Sequence, residues 1–109
     1  MRNINIMLAG FAMTGVSLCA QAKEIRPGDR YMCSWGAGTA AKAQELKLAG
    51  VSRYAAAAKV QTIKFSKSWM RPLALGITEQ TFDSTSRAKP AVVRDTFYEG
   101  CIHYRLAHK

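Results

Sequence analysis

Acids, cysteines and prolines are all scarce in this chain: 7 Asp and Glu stand against 16 Lys and Arg, with three Cys and three Pro in 109 residues. Each shortage narrows the chemistry. The seven acids form no cluster, so the paired carboxylates of glycoside hydrolysis have no support in the sequence. No two cysteines are spaced as Cys-x-x-Cys, which excludes the usual redox pair. No Gly-x-Ser-x-Gly elbow marks an activated serine, although a triad could be assembled on paper from a serine, His103 or His108, and Asp83 or Asp95. Gly36-Ala37-Gly38 lacks the downstream glycine, the lysine and the preceding strand of a phosphate-binding loop. Regular β structure has one candidate, the alternation Ile63-Lys64-Phe65-Ser66-Lys67-Ser68-Trp69. Without a second convincing strand to pair with, it reads as loop.

Long apolar runs are missing too. The run from about Ile6 to Leu18 has 13 residues, where a membrane span needs roughly 20. It follows Arg2 and precedes Cys19-Ala20-Gln21-Ala22, whose small residues at 20 and 22 form an A-x-A cleavage pattern before Lys23. Residues 1–22 therefore read as a secretory signal peptide cut after Ala22. A lipid anchor on Cys19 would want a small residue just before it, and Leu18 is bulky. Cys19 is expected to leave with the leader.

What remains, Lys23 to Lys109, is 87 residues, one domain near the lower size limit at which a single hydrophobic core is enough. Two cysteines are left, Cys33 and Cys101, near opposite ends of an exported chain, and an oxidising compartment pairs such thiols. In the chain-entropy model a loop of this length contributes roughly 4 kcal/mol, comparable with the whole stability of a small domain. Two free thiols or an intermolecular bridge are the competing arrangements. Loss of Arg2 takes the formal net charge from +9 to +8. That imbalance favours encounter with anionic surfaces such as acidic proteins, lipid headgroups or envelope polymers. The basic residues are scattered from Lys23 to Lys109, which is equally the pattern of a solvated exterior.

Lys23 to Met32, with Pro27-Gly28-Asp29 and little periodicity, reads as an extended lead with a turn. From about Ser34 to Ala49 the composition suits a helix. On it Ala37, Ala40, Ala41, Gln44 and Leu48 share a sector about 100° wide, and Cys33 projects onto the same side. Ala49-Gly50-Val51-Ser52 is a stop and restart: Gly50 suits the left-handed position after a helix, Val51 can fold back on the helix end, and Ser52 can cap the next helix. Two helices joined so tightly are expected to run antiparallel. The second, Arg53 to about Ile63, carries Ala55 to Ala58, a run that allows close helix contact. A third helix begins near Trp69 or Pro72 and runs to about Phe82, with Met70, Leu73, Ile77 and Thr81 on one side and Pro72 tolerated in the first turn. The fourth opens at Pro90 and reaches about Ala107. Its inward stripe is Val93, Phe97, Cys101 and Tyr104, with Gly100 read as a point of close backbone approach.

The spacing of Cys33, the Gly50-Val51-Ser52 break and the terminal Phe97-Tyr98-Glu99-Gly100-Cys101 resembles a loose, mostly uncharacterised set of small exported bacterial proteins. The resemblance spans the chain from Cys33 onward. It implies a helical fold and a bacterial envelope location, periplasmic or secreted, and imports no activity.

Two constellations carry possible chemistry. Asp95, Glu99 and His103, four apart, fall along one side of the last helix with about 40° of drift per step, a ladder that could hold zinc or simply face water. His103 and His108, five apart, diverge too far for a two-histidine clamp. In the middle of the chain Arg53, Lys59, Lys64, Lys67 and Arg71 interleave with Tyr54, Phe65 and Trp69, a mixture that can grip an anionic partner through charge and stacking. The expectation is an all-α bundle of about four helices with one disulfide joining the first and last. Functionally it reads as an exported, non-enzymatic binding protein of the inhibitor, immunity or envelope-accessory type. Arg53, Lys59, Lys64, Lys67, Trp69 and Arg71 would face an acidic protein or anionic envelope component, nucleic acid being a poor fit for an exported chain. No catalytic residue, cofactor or metal is assigned. The alternative is a small envelope hydrolase or metal-binding protein.

Overall fold

A computed structural model describes residues 25–108. Residues 1–24, on which the expected signal peptide, its expected cleavage after Ala22 and Cys19 fall, lie outside that range, as does Lys109. Among the described residues the chain forms four helices and no strand: α1 (Pro27–Leu48), α2 (Arg53–Thr62), α3 (Met70–Asp83) and α4 (Pro90–Ala107). None of them is long and apolar enough to cross a membrane. Helix α1 is central. It packs broadly on α4 and on α3, whereas α2 rests chiefly on α3 and only brushes α1. The tight α1–α2 connection therefore leaves α2 packed mainly on α3, with little direct contact to the helix that precedes it.

The start of α1 is the largest departure from expectation. Residues 27–32 are helical, not an extended lead. Pro27 occupies the first helical turn, where its missing N–H is not needed and its fixed φ suits the helix. Asp29 lies in the same turn, where a carboxylate complements the helix dipole, and it also pairs with Arg105 of α4 at 3.7 Å. Tyr31 packs edge-on against Trp69, ring centroids 6.1 Å apart. The partners of this extra turn come from distant segments, which local periodicity does not report.

The other end of α1 is as read. Gly50 has φ +88°, Gly50 N–H donates to the Lys47 carbonyl at 3.1 Å, and Val51 N–H donates to the Leu46 carbonyl at 3.0 Å. This is the Schellman pairing that satisfies the last carbonyls of a helix. Two residues on, Ser52 Oγ accepts from Ala55 N–H at 3.1 Å and caps α2.

The core is built from small residues. Cys33, Gly36, Ala37, Ala40, Ala41, Ala43 and Gln44 of α1 are buried, with Met70, Ala74, Ile77, Thr78 and Thr81 of α3. Burial on α1 extends beyond the single sector anticipated because the helix is covered from two sides. Of the alanine run in α2 only Ala56 is fully buried, Ala57 is half-buried, and Ala55 and Ala58 face water. Helix α4 has no fully buried residue. Val93, Phe97 and Cys101 are half-buried against α1, but Tyr104 is 59% exposed and stacks on His108 instead of joining the stripe. Gly100 has open space where a Cβ would go, so close approach is not its role. That role belongs to Gly36, at the junction of α1, α3 and α4, where a Cβ would meet the Phe97 ring at 2.7 Å and Ile77 Cδ1 at 3.3 Å. Cys33, fully buried, is bonded to Cys101 and ties the first helix to the last.

Candidate functional site

The segment Arg53–Arg71 divides into residues used by the fold and residues left to solvent. Helix α2 ends at Thr62, and the chain then runs through the loop at 63–69 into α3. An α-helix ends with carbonyls that lack intrahelical donors. Here Arg71, on the first turn of α3, reaches back to them. Its Nη1 donates to the Gln61 carbonyl at 2.9 Å and the Val60 carbonyl at 3.3 Å, and its Nη2 donates to the Ile63 carbonyl at 3.0 Å. The guanidinium also lies 5.1 Å from the Phe65 ring centroid, a cation–π distance. Arg71 is therefore the C-terminal cap of α2.

Arg53 has a similar internal duty. It pairs with Glu79 at 3.3 Å and with Asp83, both on α3, fastening the start of α2 to the end of α3. Trp69 is half-buried among aromatic edges, 5.3 Å from Trp35 and 6.1 Å from Tyr31, and Trp35 in turn meets Phe65 at 5.9 Å. Tyr54 is 85% exposed and outside this cluster. Three of the six residues singled out as partner-facing thus have internal duties: Arg53 and Arg71 join α2 to α3, and Trp69 packs the start of α3 on Tyr31 and Trp35 of α1.

The lysines behave differently. Lys59, Lys64 and Lys67 are exposed, and no carboxylate pairs with any of them among the described residues. Beside Lys59 opens a cleft of about 220 Å³ between α1, α2 and α3. Its floor is apolar, with Trp35, Leu46, Val60, Phe65 and Ala74 among the lining residues, and Lys59 of α2 and Lys42 of α1 are its charged members. Ile63, 47% exposed, also lines it. Lys42 makes only a loose contact with Glu45, 3.7 Å apart on an exposed surface, a kind of pair worth about 0.5 kcal/mol or less. The cleft therefore offers an apolar seat with ammonium groups at its edge. Lys42 and Trp35 were not recognisable as part of it from the sequence, since they lie on another helix and join Lys59 only when α3 carries α2 against α1.

On α4, Asp95, Glu99 and His103 are all exposed, and Asp95 contacts its neighbour Arg94 at 3.8 Å. Among the described residues no three His, Cys, Asp or Glu side chains gather as a metal-binding group. Asp95 and Glu99 border a depression of about 370 Å³ with Ser34, Arg94 and Tyr98, which His103 does not line.

Fold and site together define a disulfide-linked four-helix domain with a basic-edged apolar cleft. No protein-family model, curated protein or solved structure matches the chain.

Proposed function

We propose that this chain is an exported, non-enzymatic binding protein of the inhibitor, immunity or envelope-accessory type. It acts in the periplasm or beyond and docks an acidic protein at the cleft between α1, α2 and α3. The observation that carries this reading is the division of cations in the central segment. Arg53 and Arg71 are spent on internal contacts, while Lys59, Lys64 and Lys67 have no carboxylate partner among the described residues, and Lys59 borders the apolar cleft. Unpaired lysines accelerate encounter with an acidic surface, and an apolar seat lends the contact a component that salt does not screen. The formal net charge, +9 for the full chain and +8 without Arg2, acts in the same direction. Export rests on the leader pattern at residues 1–22 and accords with the Cys33–Cys101 bridge, since disulfides persist in oxidising compartments.

The test compares wild-type protein with a Lys59→Glu/Lys64→Glu variant in capture from envelope extract, washed at rising salt. The expected result is one acidic protein retained at moderate salt by the wild type and lost from the variant. Equal capture by both, or no capture by the wild type at any ionic strength, would remove the reading.

A further inference from the structure

A second cleft, on the opposite flank of α3's contact with α1, has a different character. It is larger, about 380 Å³, and is bounded by α1, the end of α3, the loop at 84–89 and α4. That volume lies in the range of sites for small organic ligands. Among the described residues no Lys, Arg, Asp or Glu lines it. Ala40, Val92, Val93 and Phe97 supply the apolar surface.

One polar group is built into this wall. Gln44 is 1% exposed and borders the cleft. Its Nε2 donates to the Ala88 carbonyl at 2.8 Å and to the Ser86 carbonyl at 3.2 Å, so both amide hydrogens are spent on the loop. Its Oε1 receives no donor among the described residues. An amide oxygen held away from bulk water without a donor is costly, and a hydrogen bond to it would recover much of that cost. The rim is held in place as well. Lys47 Nζ donates to the Thr81 and Ser84 carbonyls, each at 3.0 Å, while Ser84 Oγ and Ser86 Oγ accept from Ser86 N–H and Ala88 N–H. A rim fixed before binding reduces the ordering cost a ligand must meet.

We propose that this cleft binds an uncharged, largely apolar small molecule carrying one hydrogen-bond donor, a hydroxyl or an amide N–H, that is received by Gln44 Oε1. The apolar body lies over Val93 and Phe97. Charged ligands are disfavoured because no charged side chain among the described residues lines the site and the Lys47 ammonium at its rim is engaged by the Thr81 and Ser84 carbonyls, so desolvating an ion there has little compensation. The site is separate from the lysine-edged cleft, so either can fail without the other.

The test uses a matched pair of probes, 4-phenyl-1-butanol and butylbenzene, titrated into isotopically labelled protein and followed by amide and methyl chemical shifts. The expected result is saturable shifts centred on Ala40, Thr81 and Val93, with the alcohol binding at least about fivefold more tightly than the hydrocarbon. Thr96→Trp, which fills the mouth from an exposed lining position, should abolish binding of both probes while leaving the spectrum elsewhere unchanged. Gln44→Met should erase the preference for the alcohol. Should that variant not fold, the wild-type comparison and Thr96→Trp decide alone. Shifts mapping elsewhere, equal affinity of the two probes for the wild type, or binding unaffected by Thr96→Trp would each overturn the proposal.

Discussion

Gly36 of α1 lies directly under the ring of Phe97 of α4, so close that a Cβ at position 36 would sit 2.7 Å from Phe97 Cε1 and 3.1 Å from Cζ. Alanine in an exposed helix interior gains about 1 kcal/mol over glycine, but overpacking a core contact costs about 1–3 kcal/mol. Gly36→Ala is therefore expected to lower stability by about 1 kcal/mol net, as the ring is pushed off α1. Gly100→Ala, at a helical position with open space around it, should raise stability by about 0.5–1 kcal/mol. Urea midpoints of the two variants give the comparison directly, and a Gly36→Ala protein as stable as the Gly100→Ala one would contradict this packing.

The Cys33–Cys101 bridge spans a sequence separation of 68 and holds a helix that has no fully buried residue of its own. Loop closure of that length is worth about 4 kcal/mol in the chain-entropy model, of the order of a small domain's entire stability. The double variant Cys33→Ala/Cys101→Ala should unfold at far lower urea, with α4 amides losing hydrogen-exchange protection first. Intact mass under native and reducing conditions should differ by two hydrogens, about 2 Da, as closure of one disulfide requires.

Arg71 donates to three carbonyls around the end of α2 and covers the Phe65 ring. Its planar fork serves several acceptors at once, which a lysine ammonium cannot match in this geometry. Arg71→Ala should cost about 1.5–3 kcal/mol, the range for hydrogen bonds made by a charged group. Arg71→Lys should recover less than half of that. Thermal unfolding of the pair checks the assignment, and a lysine variant equal to wild type would show that charge alone suffices.

Gly50 holds φ +88° at the end of α1. A side chain in that conformation costs about 1–2 kcal/mol, and asparagine tolerates it better than alanine. Gly50→Ala should therefore destabilise by about 1 kcal/mol and Gly50→Asn by less, as read from chemical denaturation.

Several elements were legible along the chain because their causes are local. Gly50 and Ser52 carry the end of one helix and the start of the next in their own conformational and hydrogen-bonding preferences, and Pro72 and Pro90 are tolerated near helix starts for the same kind of reason. The inward repeat of Val93, Phe97 and Cys101 followed from helical spacing, and with Cys33 it pointed to the bridge that the structure contains. Tyr104 is 59% exposed and stacks on His108, because the next place on the four-residue repeat against α1 is taken by Arg105, which pairs with Asp29.

The amino-acid sequence by itself determined the helical class, the four segments, their capping signals and the inward placing of Cys33 and Cys101, because each depends on a residue's own propensity or on spacing within one helix, whereas the meeting of the two sulfurs required α4 to pack on α1. Only the tertiary structure decided which cations were free. Arg53 and Arg71 look like Lys59 and Lys64 in a row of letters, but a guanidinium that finds Glu79, Asp83 or a helix end within reach is no longer offered to a partner. The same holds for both clefts, whose walls come from helices that adjoin only after packing, so no stretch of chain contains the information to draw them.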